Sequence, residues 1–191
     1  MRTFVAVDLP AHARGALEAL LQQLGREVPD VRWARSAGIH LTLKFLGEIQ
    51  EARVPSLAAS LLGAASSVAG GFPVAIRRLG TFGDRRSPRV VWVGVEEPAG
   101  SLGRLQRAVD EACAGEGFAR ETRPFSPHLT LARLKAPSRS LGRALTARPD
   151  LDLGSFPIER VTLFQSILRP EGAQYVRLRD FPLAAPAGAQ P

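Results

Sequence analysis

Two stretches of the chain, "HLTLKFLG" at residues 40–47 and "SPHLTLAR" at 126–133, contain the same tetrapeptide, His-Leu-Thr-Leu. The chain has three histidines, and two of them, His40 and His128, open these tetrapeptides. In a β-strand, side chains alternate between faces, so His40 shares a face with Thr42 and His128 with Thr130, while the leucines turn the other way into a core. In a helix, residues two apart do not face each other and the pairing would be lost. Imidazole exchanges a proton near neutral pH, so two histidines on opposite walls of a cleft could act as a base and an acid. In-line displacement at phosphorus needs that pair, with hydroxyls and an arginine to hold the non-bridging oxygens where transition-state charge accumulates.

Other chemistries fit less well. Structural and catalytic zinc sites use at least three protein ligands, and neither histidine has a carboxylate, a cysteine or another histidine at metal-binding spacing. No G-x-S-x-G elbow accompanies the histidines, and the glycines near residues 80–83 do not form a phosphate-binding Walker loop.

The elements that must position these residues can be read from periodicity. "TFVAVDL" (3–9) has apolar residues at both parities, as in a strand buried on both faces. Asp8 and Pro10 offer a helix start. Leu17, Leu20, Leu21 and Leu24 then make one apolar stripe. Further strands are expected at 31–34, 40–46, 72–79, 89–95, 128–134, 158–168 and 173–181. Helices are expected around Val54–Ala65, where Leu57, Ala58, Leu61 and Leu62 face inward, around Leu102–Ala112, and at 138–147. The order β-α-β-β-α-β-β-α-β-α-β-β predicts an α+β protein: two antiparallel sheets with helices packed outside and a central cleft, each lobe giving one His-Leu-Thr-Leu strand. Residues 1–183 are read as one bilobal domain and 184–191 as a flexible tail.

Composition sets the outer bounds. A chain of 191 residues can bury one good core. Its net charge of +7, almost wholly from arginine, favours a polyanionic or phosphorylated partner. The single cysteine, Cys113, excludes an internal disulfide. No segment has the length and apolarity of a membrane span or a signal peptide, so a cytoplasmic protein without membrane association, most simply a monomer, is expected.

The motifs and their flanks, "RTFVAVDLP", "VRWARSAGIHLTLKFLGE", "GTFGDRRSPRVVWVGV", "FSPHLTLAR" and "VTLFQSILRPEGAQYVRL", resemble the two-histidine phosphoesterases, and among them the RNA 2′,3′-cyclic phosphodiesterases, also called 2′-5′ RNA ligases. The resemblance runs over residues 2–183. It implies the bilobal fold and opening of a terminal 2′,3′-cyclic phosphate to a 2′-phosphomonoester without metal or cofactor. RNA with cyclic phosphate ends, tRNA fragments included, would be the substrate. By the same resemblance His40 is the proton donor to the departing 3′ oxygen and His128 the acceptor that activates water. Thr42, Thr130 and Arg133 hold the phosphate. A 5′-hydroxyl end replacing water would give 2′-5′ ligation. Strict alternation puts Arg133 on the face away from His128, so its role needs a twist or a bulge at the strand end. A cyclic phosphodiesterase for small nucleotides, and an RNA-binding module without catalysis, remain alternatives.

Several neighbours have two readings. Trp33 and Phe125 are assigned to core packing, with base stacking as the alternative. Phe45 has the parity of Leu41 and Leu43 and is assigned to the core. Lys44 shares the parity of His40 and is placed either at the phosphate or at the cleft rim. Arg85, Arg86 and Arg89 fall in a turn, as an RNA contact or a solvated loop. Tyr175, Arg177 and Arg179 form a basic cleft wall or, preferably, an ordinary solvated face. His12 is assigned to the surface and Cys113 to the buried side of its helix.

Overall fold

Thr3 through Val7 of the first strand, β1 (Arg2–Val7), are all buried, as expected for a run apolar at both parities. The computed structural model describes residues 1–84, 87–169 and 172–185. α1 (Ala11–Glu27) follows Pro10, and its stripe of Ala13, Leu17, Leu20, Leu21 and Leu24 is buried. Then come β2 (Leu41–Glu48), α2 (Val54–Ser66), β3 (Phe72–Asp84), β4 (Ser87–Glu96), α3 (Ser101–Gly115), β5 (His128–Arg133), α4 (Leu141–Thr146), β6 (Asp152–Ile158), β7 (Arg160–Arg169) and β8 (Gly172–Pro182). In α2, Leu62 is exposed, unlike the rest of its stripe.

The expected pair of sheets is one. Eight antiparallel strands run in the order β6-β3-β4-β5-β2-β1-β7-β8 and curl into a half-barrel. The α+β class holds, and the reason for the difference is local. β5 and β2 are paired through Leu41 and Leu129, and this narrow joint fuses two four-stranded halves into a continuous sheet. The helices cover one face, where Leu41, Leu43, Leu129 and Leu131 join the main core. Burying each such leucine contributes about 1.5–3 kcal/mol, so the histidines on the other face are held by a strongly anchored backbone. That other face has its own small apolar cluster of Phe4, Ala6 and Phe164, with Tyr175 against it.

Three other expectations change. Residues 31–34 are not a strand; Trp33 makes an isolated bridge with Ala132, and the Ala34 amide donates to Leu131 O at 2.7 Å. The strand expected at 158–168 is the second of two: it is β7, starting at Arg160, and an unforeseen strand precedes it, separated by Glu159. The first, β6, contains Gly154 and Pro157, residues that read as breakers but that an edge strand tolerates. Ala184, expected in the tail, is held in place: it bridges to Ala69, and its amide donates to Val68 O at 3.0 Å. Residues 186–191 lie outside the described residues.

Candidate active site

The antiparallel pairing of Leu41 with Leu129 sets His40 across from Thr130 and Thr42 across from His128. The two motifs are thus related by a local twofold at the centre of the sheet, and each imidazole meets the other motif's hydroxyl. Expected on opposite walls of a cleft, His40, Thr42, His128 and Thr130 instead lie side by side on one face of one sheet, because their strands are neighbours.

Both strands then break their alternation at the same point. Along β2, Thr42 pairs with Ala6 but Lys44 with Val5, leaving Leu43 as the extra residue of a β-bulge. Along β5, Thr130 pairs with Trp92 but Ala132 with Val91, leaving Leu131 as the extra residue. Each bulge sends two consecutive side chains into the core, Leu43 with Lys44 and Leu131 with Ala132. The residue after each pair returns to the histidine face. Arg133 therefore lies on the side of the site, where its charge reaches His40. The same bulge corrects two assignments. Phe45 is 61% exposed rather than in the core, and Lys44 is buried rather than at the phosphate or the cleft rim.

The histidines are held alike. Nδ1 of His40 donates to Gly38 O at 3.2 Å, and Nδ1 of His128 donates to Ser126 O at 2.7 Å. A carbonyl only accepts, so the neutral form of each ring carries its proton on Nδ1 and leaves Nε2 free to exchange one. The turn carrying Gly38 is clamped from α1. Arg14 donates to Ser36 O at 2.8 Å and to Leu9 O at 3.1 Å, and is ion-paired with Asp8. Asp8 is in turn paired with Arg177, which also reaches Asp180 at 2.9 Å.

The surroundings of the two rings differ. His40 stacks on Phe4 at 4.4 Å between centroids and meets the edge of Tyr175 at 4.9 Å. Phe164 stacks behind Phe4 at 5.3 Å. His128 meets Phe82 edge-on at 4.8 Å, with Trp92 at 6.5 Å. Gly80 makes room for that tryptophan: a Cβ there would come within 2.2 Å of the indole. Burial pushes the His40 imidazole down to about 4, aided by the charges of Arg14 and Arg133 and opposed by the Gly38 hydrogen bond and Asp8. In the free protein His40 is therefore neutral at pH 7.

That shift has a consequence for stability. An unfolded chain would protonate His40 near 6.5, whereas the folded chain does so near 4. Between those values the unfolded state binds the extra proton, so stability falls as pH falls through this window. Denaturant titrations at pH 7.5 and 4.5 should show His40→Gln losing less stability than wild type on acidification, by on the order of 2 kcal/mol. Equal losses would contradict the shift.

Other expected residues are accounted for. Trp33 is half-buried and donates from Nε1 to Val28 O at 3.2 Å, and Phe125 is packed against the main core, as assigned. Tyr175 and Arg177 are not a plain solvated face, because one packs on His40 and the other is ion-paired. Arg89 is exposed, whereas Arg85 and Arg86 lie outside the described residues. His12 is exposed, with Nε2 3.2 Å from Ser155 O. Cys113 is buried, and burial pushes its thiol up to about 12. Among the described residues no three His, Cys, Asp or Glu side chains cluster as a metal site. No helix is long and apolar enough to cross a membrane. Residue types alone gave no sign of Phe4, Phe82, Trp92, Phe164, Asp8 or Arg14, which reach the site only through strand order.

Comparison with known proteins gives the family. The model of the 2′-5′ RNA ligase superfamily matches residues 16–167. An RNA 2′,3′-cyclic phosphodiesterase of Archaeoglobus fulgidus is 33% identical over 95% of this chain and 99% of its own length. Another, of Geobacillus stearothermophilus, is 34% identical over 93% of this chain, which spans 63% of that longer protein. A crystal structure from Thermus thermophilus superposes with a TM-score of 0.80 at 30% identity, covering 97% of this chain and 99% of that one. On the matching motifs, fold and length, the chain belongs to the 2′-5′ RNA ligase superfamily, among the RNA 2′,3′-cyclic phosphodiesterases.

Proposed function

We propose that this protein hydrolyses the 2′,3′-cyclic phosphate at the end of an RNA chain to a 2′-phosphomonoester. The observation that carries this reading is the local twofold, which sets two imidazoles with free Nε2 atoms beside two hydroxyls on one face. Water attacks phosphorus and gives its proton to Nε2 of His128. The bond from phosphorus to the 3′ oxygen breaks, and that oxygen takes a proton from Nε2 of His40. Thr42, Thr130 and Arg133 bind the non-bridging oxygens. His40 must be charged to act as the acid, and the bound phosphodiester anion supplies the field that raises its proton affinity from the low value of the free protein. The exposed ring of Phe45, on the same face, offers a stacking surface for the terminal base. A 5′-hydroxyl in place of water gives a 2′-5′ linkage by the same displacement.

The net charge of +7 supports an RNA chain over a small cyclic nucleotide. The test offers the protein a cyclic-ended oligoribonucleotide and a cyclic mononucleotide, with and without excess EDTA, and identifies the end group formed. A 2′-phosphate from the oligomer, unaffected by EDTA, is expected. A 3′-phosphate, no product, or loss of activity with EDTA would overturn the mechanism, and faster turnover of the mononucleotide would reassign the substrate.

A further inference from the structure

The bulges that turn Phe45 and Arg133 toward the histidines also turn Lys44 and Ala132 inward, and there the two motifs differ. Beside Ala132 the segment leading into His40 lies directly against β5, through the Trp33 bridge and the bond from the Ala34 amide to Leu131 O. Beside Lys44 there is no such backbone bridge among the described residues. A buried ion pair takes its place. Lys44 is 7% exposed, and its Nζ donates at 2.5 Å to Asp110 Oδ1 on α3 and at 2.5 Å to Ala119 O. The same Asp110 oxygen accepts the Glu121 amide at 3.1 Å. Ala119 and Glu121 open the irregular segment that ends at His128. The far end of that segment is fixed by the bond from the Val95 amide to Pro127 O at 3.0 Å.

We propose that Lys44 is a positioning residue that acts on His128 through Asp110 and the 119–127 segment, tying the approach of the second motif to the strand of the first. This proposal rests on the functional reading above. Ser126, whose carbonyl orients His128, lies on the tethered segment, so the tether restrains the ring as well as the chain. Burial alone would raise the Asp110 carboxyl, but the Lys44 hydrogen bond, the Glu121 amide and the charges of Lys44 and Arg120 outweigh it and hold it below the ordinary range. The Asp110 carboxyl is therefore charged as well as buried. A buried ion pair adds little net stability over apolar residues of similar size, because desolvation offsets the attraction. What apolar residues would lack here are the directional bonds to Ala119 O and the Glu121 amide.

The double variant Lys44→Met with Asp110→Leu separates positioning from stability. It should unfold within a few degrees of wild type, yet turn over a cyclic mononucleotide with kcat reduced about 10–100-fold and KM nearly unchanged, as misplacement of a catalytic group predicts. Exchange of the His128 Nδ1 proton, read by NMR, should accelerate while that of His40 does not. A second variant, Glu121→Pro, deletes the segment's amide donor, together with the exposed contacts of the Glu121 carboxylate with Arg123, and leaves the Lys44–Asp110 ion pair in place. It should show the same exchange signature and a smaller loss of kcat. Wild-type kcat and wild-type His128 exchange in whichever variant folds would overturn the proposal. If wild type proves inactive on every cyclic phosphate, the functional reading fails, while His128 exchange in the two variants still decides whether the tether exists.

Discussion

Replacing either His40 or His128 by alanine should lower single-turnover cleavage of a cyclic-ended RNA by about 10²–10⁴-fold, the range for loss of a general acid or base. The double variant should lose little more than the worse single variant, because the two rings act on one displacement and their effects are not additive. The structure also predicts that the two alanine variants differ in ways unrelated to chemistry. His40 stacks on Phe4 and meets Tyr175, so its removal opens a gap in an aromatic cluster and should cost stability as well as activity. His128 meets Phe82 edge-on and lies 6.5 Å from Trp92, looser contacts than the stack on His40, and its removal should leave the unfolding midpoint closer to that of wild type. His40→Gln fills the space without a titrating ring and separates the two effects: stability should return and activity should not. A variant of either histidine that cleaves within about threefold of wild type, far short of the loss expected for a general acid or base, would remove that histidine from the mechanism.

The histidines are legible in the sequence because their signal is local. A repeated tetrapeptide and a period of two place four side chains on one face without reference to the rest of the chain. The misplacements of Phe45 and Lys44 share one cause, the bulge in β2. Nothing in "LKF" or "LAR" marks Leu43 or Leu131 as an extra residue, since a bulge is defined by two-against-one pairing with a neighbouring strand. Strict alternation through Leu43 puts Phe45 in the core and Lys44 at the phosphate or cleft rim, two errors from one bulge, whereas the twist or bulge that Arg133 needs is present in β5. The aromatic surroundings were illegible for a related reason. Phe4 and Phe164 meet because β1 lies beside β7, and Phe82 reaches His128 across β4, so their proximity depends on the whole strand order. The single sheet was hidden because the joint between its halves is as narrow as the Leu41–Leu129 pair.

The second large effect should come from Arg133, which the bulge turns to the histidine face. Phe45 and Arg133 occupy equivalent places, each the residue that returns to the histidine face after its bulge. One half of the site thus ends in an exposed apolar ring and the other in an exposed cation. That asymmetry matches a nucleotide end, with a base on one side and a phosphate on the other, and it breaks the twofold that the histidines and threonines keep. Arg133→Ala should reduce kcat/KM by about 10²–10³-fold, as for removal of a donor aimed at transition-state charge. Arg133→Lys should recover only part of this, because an ammonium cannot reproduce the planar two-pronged contact of a guanidinium with phosphate. A further readout is independent of catalysis. Burial is the main cause of the low His40 imidazole and the positive charge of Arg133 the smallest, so Arg133→Ala should raise the His40 midpoint in an NMR titration only slightly, while Arg133→Lys leaves it where it is. An unmoved His40 titration with lost activity would place the guanidinium on the substrate but away from His40. An unchanged rate would return Arg133 to the solvent, and the second bulge would then have no role in the chemistry.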